Sequence, residues 1–287
     1  MQIVTDRGCD LSSAQLEGKQ IEFVPMYLQL DGKTYSSGVD VSPAEFYDIM
    51  SKTESYPVTS QAAVGDFVDI YTRLAKNDPE IFSMHISSGL SGTLNSARTA
   101  AEMVPQAKVT FWDTMTLSGP EGFQVEAAAA ALKAGWPMPE VLALLDRIRK
   151  NSQGLYTLDT LKYLIHGGRI SHMKGLLASL LGIRPVIGVE KVKGMYITYG
   201  QERTSKKAIQ KMVNVLQGFF PSGETMRIQL LHGKNLEGVA LLKEALMSVF
   251  DCRFEETLSV APVLGAHTGG SVVGLAAAPV SVFEGLV

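Results

Sequence analysis

Along the first 150 residues, short apolar runs alternate with stretches whose apolar positions recur every three to four residues. Residues 3–6, 80–86 and 108–113 have the length and content of strands, and residues 94–104, 122–134 and 139–150 those of helices. Five consecutive alanines mark the second helix, and Val141, Leu142, Leu144, Leu145 and Ile148 line one face of the third. Residues 21–30 are extended, with Pro25 at an edge or bend, and Asp31-Gly32 forms a tight hairpin turn. Ser42-Pro43-Ala44-Glu45 starts a helix: Ser42 caps it, proline suits its first position, and Glu45 completes a capping box. Strand and helix alternating at this spacing predict βαβ units and a parallel sheet.

The second half has another rhythm. Residues 185–190 and 195–200, joined by a Lys-Val-Lys-Gly turn, predict two adjacent antiparallel strands, and residues 204–219 an amphipathic helix with Ile209, Met212, Val213 and Leu216 inward. A strand over 227–232, a helix over 236–250 and a strand over 253–258 follow. The fold class expected is α/β in two domains. An N-terminal parallel-sheet, Rossmann-like domain spans residues 1–152, and a C-terminal α+β domain with a mainly antiparallel sheet spans 153–287.

Residues 257–283 carry no formal charge, enough to cross a bilayer by length alone. Pro262, Gly265, His267, Thr268-Gly269-Gly270-Ser271, Gly274 and Pro279 interrupt the stretch, which therefore predicts two buried strands joined by a polar turn and not a membrane helix. The net charge of −3 offers no basic excess for nucleic acid or an anionic membrane, and 46% hydrophobic residues exclude a disordered chain. Cys9 and Cys252 stand far apart, which excludes a disulfide scaffold and a cysteine-based zinc site and fits a reducing compartment. The first residues lack a basic segment followed by an apolar core, so no signal peptide is expected and the location expected is cytoplasmic.

The most informative segment is HISSGLSGT, residues 85–93, between a predicted strand and a predicted helix. Its four hydroxyls, with Gly89 and Gly92, have the composition of an anion site at the carboxyl end of a parallel strand, where unpaired amides and the helix dipole favour negative charge. A well-capped helix without a ligand is the alternative. Thr59 and Ser60, in PVTSQAA, are expected to cap the helix that carries Phe67 and Tyr71, and matter for binding only where the two loops converge. His267 lies in the polar GAHTGGS turn, either as a structural residue or as a donor to an anion. Arg169 and Arg203 are surface groups unless the fold brings them to a shared cleft.

Several motifs are excluded. Gly32-Lys33-Thr34 resembles the end of a P-loop, but Tyr27 stands where its first glycine belongs. Ser91 resembles a nucleophile elbow, yet Thr93 replaces the second glycine of GxSxG. No HExxH and no GxGxxG after the first strand occurs, so a zinc hydrolase and a standard dinucleotide fold have no support.

In order along the chain, IVTD, CDLS, DVSPAEFYDIM, VTSQ, HISSGLSGTLNSA, LDTLKYLIHGGRIS, RPVI, ERTSKKA and GAHTGG resemble the DegV family over nearly the whole chain. The resemblance implies a non-enzymatic carrier that encloses a long-chain fatty acid, with no cofactor or metal. Such proteins serve as binding subunits of bacterial fatty acid kinase: a separate ATP-dependent kinase phosphorylates the acid, and the acyl phosphate feeds phospholipid synthesis. By the same resemblance Thr59, Ser60, Ser91, Gly92, His267 and Thr268 surround the carboxylate, and Arg169 and Arg203 lie near the headgroup or the partner-facing surface. Two rival readings remain. One is a serine esterase or acyltransferase using Ser91 with His85 or His267, and the other a lipid sensor without a kinase.

Overall fold

The computed structural model describes residues 1–170 and 182–286, so Ser171, the last residue of the GGRIS motif, lies outside the described residues. The N-terminal half runs β1 (Gln2–Asp6), α1 (Ser13–Leu16), β2 (Ile21–Val24), β3 (Tyr27–Leu30), β4 (Lys33–Ser36), α2 (Pro43–Met50), β5 (Val58–Ser60), α3 (Val64–Ala75), β6 (Glu80–His85), α4 (Thr93–Met103), β7 (Lys108–Asp113), α5 (Ser118–Lys133) and α6 (Met138–Asn151). Four of its strands form the expected parallel sheet, in the order β2-β1-β6-β7. Val4, Val24 and Ile81 pack with α3 and α4, whereas Ile3, Phe82 and Met84 pack with α5 and α6, as period-two alternation in a doubly covered sheet requires.

The extended segment at 21–30 divides between two sheets. Pro25 can donate no ladder hydrogen bond, and beyond it the chain leaves the parallel sheet for a three-stranded antiparallel one, β4-β3-β5. Asp31 and Gly32 both have positive φ, 50° and 73°, the requirement of a type I′ hairpin turn. The capping box of α2 is present, with the Ser42 amide donating to Glu45 Oε2 at 2.9 Å and the Glu45 amide to Ser42 Oγ at 3.3 Å.

The remaining strands, from residue 153 on, build a seven-stranded sheet. They are β8 (Gln153–Thr157), then, after α7 (Lys162–His166), β9 (Arg184–Val189), β10 (Tyr196–Glu202), β11 (Thr225–His232), β12 (Asp251–Phe254), β13 (Leu258–Ser259) and β14 (Val273–Pro279). The path is β10-β9-β8-β14-β11-β12, antiparallel except where β12 and β13 pair with β11. Helices α8 (Ser205–Gln217) and α9 (Leu236–Met247) cover one face through Ile209, Met212, Leu242 and Leu246. Along β14, Val273, Leu275 and Ala277 join that layer, while Ala276 and Ala278 join the cluster of α5. The alanine run of α5 thus meets the alanines of β14, and the small side chains let the two halves approach closely.

Three expectations are corrected. The stretch opening the uncharged region is not a long buried strand: β13 has two residues, and α10 (Pro262–Thr268) follows, placing His267 and Thr268 on a helix instead of a polar turn. Proline at its first position is sound helix chemistry, but its donors are satisfied from remote parts of the chain, which no local pattern records. The strand expected over 253–258 is broken between β12 and β13. Thr59 and Ser60 are not caps, since they form β5 against β3 and the N-cap of α3 is Ala63 without a side-chain bond.

Candidate functional site

β6 ends at His85, and the loop after it turns into α4, whose N-cap is Gly92. Of the four hydroxyls expected to face an anion, one is engaged elsewhere and one is exposed. Ser87 is fully buried and donates to the Gly194 carbonyl at 2.8 Å, in the turn between β9 and β10, while Ser88 is exposed. Ser91 Oγ remains at the cavity, 2.9 Å from Thr93 Oγ1 and accepting from the Thr93 amide at 3.3 Å.

From the opposite side, β5 brings Thr59 and α10 brings His267, whose Nε2 lies 2.8 Å from Thr59 Oγ1. The ring is only 8% exposed, and its Nδ1 has no hydrogen-bond partner among the described residues. Burial, with the positive charge of Arg169 nearby, pushes the His267 pKa down to about 4, so the imidazole is neutral at pH 7. Arg169, just beyond α7, folds back to donate to the Gly167 carbonyl at 2.5 Å.

These groups share one small cavity, about 30 Å³, a volume suited to a polar headgroup and not to a long tail. Thr59, Ser60, Ser91, Arg169 and His267 all line it. Gly92 stands beside the wall, where an added Cβ would lie 1.9 Å from Gln61 Oε1. Thr268 does not line the cavity, and its hydroxyl donates within α10 to the Leu264 carbonyl at 3.4 Å. Arg203 is an exposed residue just beyond β10, also away from the wall.

Sequence reasoning missed Gln61 and Tyr196. Gln61 follows the β5 hydroxyls and donates from Nε2 to Ser96 Oγ on α4 at 2.9 Å, tying the two polar walls together. Tyr196 comes from β10, and burial raises its phenol to about 12. The amide beside Thr59-Ser60 was a legible signal for Gln61, whereas nothing local distinguishes Tyr196. The other walls are apolar, formed by Met26, Ile86, Leu90, Val263 and Leu264.

The arrangement suits a carboxylate better than acyl transfer. A serine nucleophile needs a base within hydrogen-bond reach. Ser91 is partnered by Thr93, His267 Nε2 by Thr59, and the fully buried His85 by Ser83 Oγ at 2.6 Å and Asp6 Oδ2 at 3.1 Å. Among the described residues no group of His, Cys, Asp and Glu is arranged to hold a metal ion, and no helix is long and apolar enough to cross a membrane.

The DegV family model, described as an uncharacterised protein of the DegV family, matches residues 1–280. A DegV domain-containing protein of Staphylococcus aureus is 34% identical over 273 residues, covering 95% of this chain and 96% of its own. Among solved structures, a fatty-acid-binding DegV family protein from Thermus thermophilus is 28% identical, with a TM-score of 0.86 over 97% of this chain and 99% of its own. The Fatty Acid Kinase (Fak) B3 protein of Streptococcus pneumoniae, solved loaded with linoleic acid, shares the fold, with a TM-score of 0.81 at 21% identity over 97% of this chain and 99% of its own.

Proposed function

The chain belongs to the DegV family, and on that premise we propose that it binds a long-chain fatty acid and presents the carboxylate to a separate ATP-dependent kinase, which forms the acyl phosphate. The observation that carries this reading is the meeting of Thr59, Ser91, Arg169 and a neutral, buried His267 around one cavity. A carboxylate leaving water needs several strong hydrogen bonds. With its proton on Nε2, His267 donates to Thr59 Oγ1, which leaves the Thr59 hydroxyl hydrogen for the ligand. Ser91 supplies a second hydroxyl, and Arg169 offsets the negative charge. The cavity as it stands receives only the headgroup, so the tail enters by parting the apolar walls of Met26, Ile86, Leu90, Val263 and Leu264, gaining roughly 0.8 kcal/mol for each methylene buried.

The fatty acid bound by the Thermus thermophilus protein supports the ligand class. The name of the Streptococcus pneumoniae protein suggests the kinase partner, but at its identity the likeness establishes the fold alone. The carrier itself supplies no phosphoryl chemistry. Its task is to keep the tail dry and the carboxylate reachable, in the cytoplasm by this reading.

Native mass spectrometry of the purified protein is expected to show a retained fatty acid. In the delipidated protein, Ser91→Ala is expected to weaken oleate binding about tenfold, the result of one lost donor to a buried charged oxygen. No copurified lipid and no uptake of oleate or palmitate by the wild-type protein would overturn the carrier reading, and unchanged affinity in Ser91→Ala would remove Ser91 from the site.

A further inference from the structure

Helix α10 has seven residues, too short to hold its shape or place alone, and it begins on Pro262, with no side-chain cap from its own N-cap Ala261. Three buried side chains from the N-terminal half hold its first turn. Asp10 Oδ1 accepts from the Ala261 amide at 2.9 Å, Ser37 Oγ from the Val263 amide at 3.2 Å, and Tyr47 donates its hydroxyl to the Val260 carbonyl at 3.2 Å. Each contact spans more than 200 residues of sequence. The Tyr47 hydroxyl also lies against Gly265, where an added Cβ would approach it to 2.4 Å.

Asp10 differs from the other two in carrying a carboxyl group that joins two helices. Its Oδ2 accepts from the hydroxyl of Ser118, the first residue of α5, at 2.5 Å. We propose that Asp10 is a positioning residue of the headgroup site, fixing α10 against the N-terminal half so that His267 meets Thr59. The proposal rests on the reading of that pair as part of a carboxylate site.

The lever is short and rigid. His267 lies six steps along the chain from Ala261, about 9 Å at the helical rise of 1.5 Å per residue, so a tilt at the first turn carries the ring away from Thr59. Burial makes the carboxyl costly, lifting its pKa to about 6, and the bonds to Ala261 and Ser118 offset that cost. An asparagine can keep both contacts, with Oδ1 accepting from Ala261 and Nδ2 donating to Ser118 Oγ. An alanine keeps neither.

The test compares Asp10→Ala and Asp10→Asn, each alone and combined with His267→Ala. The readouts are oleate affinity, thermal midpoint and the NMR titration of His267 in ligand-free protein. Asp10→Ala is expected to weaken oleate binding about tenfold, Asp10→Asn less than about threefold, and Asp10→Ala in the His267→Ala background less than about twofold. The His267 midpoint is expected to move up from about 4 toward 6.5 in Asp10→Ala and to stay low in Asp10→Asn. An equal loss of affinity with and without His267 would overturn the proposal, as would an unmoved His267 titration in Asp10→Ala. Should Asp10→Ala fail to fold, Ser37→Ala, which frees the Val263 amide, replaces it with the same coupling to His267 expected and the same two outcomes against. A wild-type protein that binds no oleate would sink the carrier reading while the His267 titration still decides the positioning role.

Discussion

His85 and His267 are both buried, and both lie beside a hydroxyl, but their second nitrogens differ. In the parallel sheet, His85 bonds Ser83 and Asp6, Ser83 continues to Tyr71 at 2.7 Å, and Asp6 also accepts from the Gly8 and Ile86 amides. Every polar atom of this chain of groups has a partner, and no imidazole nitrogen is left for a ligand. At the cavity, His267 has Thr59 on one nitrogen, no described partner on the other, and a neighbouring arginine in place of an acid. The first arrangement is a fastener between β1 and β6, whereas in the second a neutral ring holding its proton on Nε2 donates to Thr59 and leaves the Thr59 hydroxyl hydrogen free to point elsewhere. Burial and a nearby hydroxyl are therefore common to the two histidines, and only the full list of partners separates them.

The strongest way to break this comparison is to remove each ring. His85→Ala leaves Asp6 and Ser83 with buried unmet bonds and is expected to lower stability by about 3 kcal/mol in denaturant titration. His267→Ala is expected to cost less than about 1 kcal/mol while weakening oleate binding tenfold or more. Equal stability losses would erase the distinction.

Acid sharpens it by a similar amount. His267 is held below its ordinary 6.5 in the folded chain, so the unfolded chain takes up the proton first as pH falls. Its contribution is fully present above pH 6.5 and is lost by about pH 4, a change of about 3 kcal/mol. Asp10 is raised from 3.8 to about 6, so its cost is absent below pH 3.8 and complete above pH 6, about 3 kcal/mol in the opposite sense. The two largely cancel between pH 6.5 and 4. Denaturation of Asp10→Asn across that window is expected to show a steeper loss of stability toward acid than the wild type, and His267→Gln a shallower loss or a gain.

Smaller effects follow for the hydroxyl beside His85 and for the outlying arginine. Ser83→Ala is expected to cost about 1 kcal/mol and leave oleate affinity within about twofold, the reverse of the pattern expected for Ser91→Ala. Arg203→Ala is expected to change neither beyond about twofold, because the side chain is exposed and off the cavity wall. Weaker oleate binding in Arg203→Ala would place that residue at the headgroup after all.

Much of the scaffold was legible because its signals are local. The capping box at Ser42 and Glu45, the Asp31-Gly32 hairpin and the inward face of α8 each depend on residues within a few positions of one another. The hydroxyl-rich loop was legible as a composition only. Which of its oxygens are free depended on Gly194, 107 residues away, which engages Ser87. The strand character of Thr59 likewise depended on Leu28, its partner in β3.

By itself the sequence determined the alternation of strands and helices, the parallel sheet followed by a mainly antiparallel one, and the residue types from which a headgroup site can be built. Only the tertiary structure decided that the uncharged region contains a helix, that His267 sits on it, and that Thr59, Ser91 and Arg169 reach the same cavity. The reason is physical. Periodicity and capping are set by neighbours along the chain, whereas the donors that hold α10 in place come from residues 10, 37 and 47, which meet it only once both halves have folded.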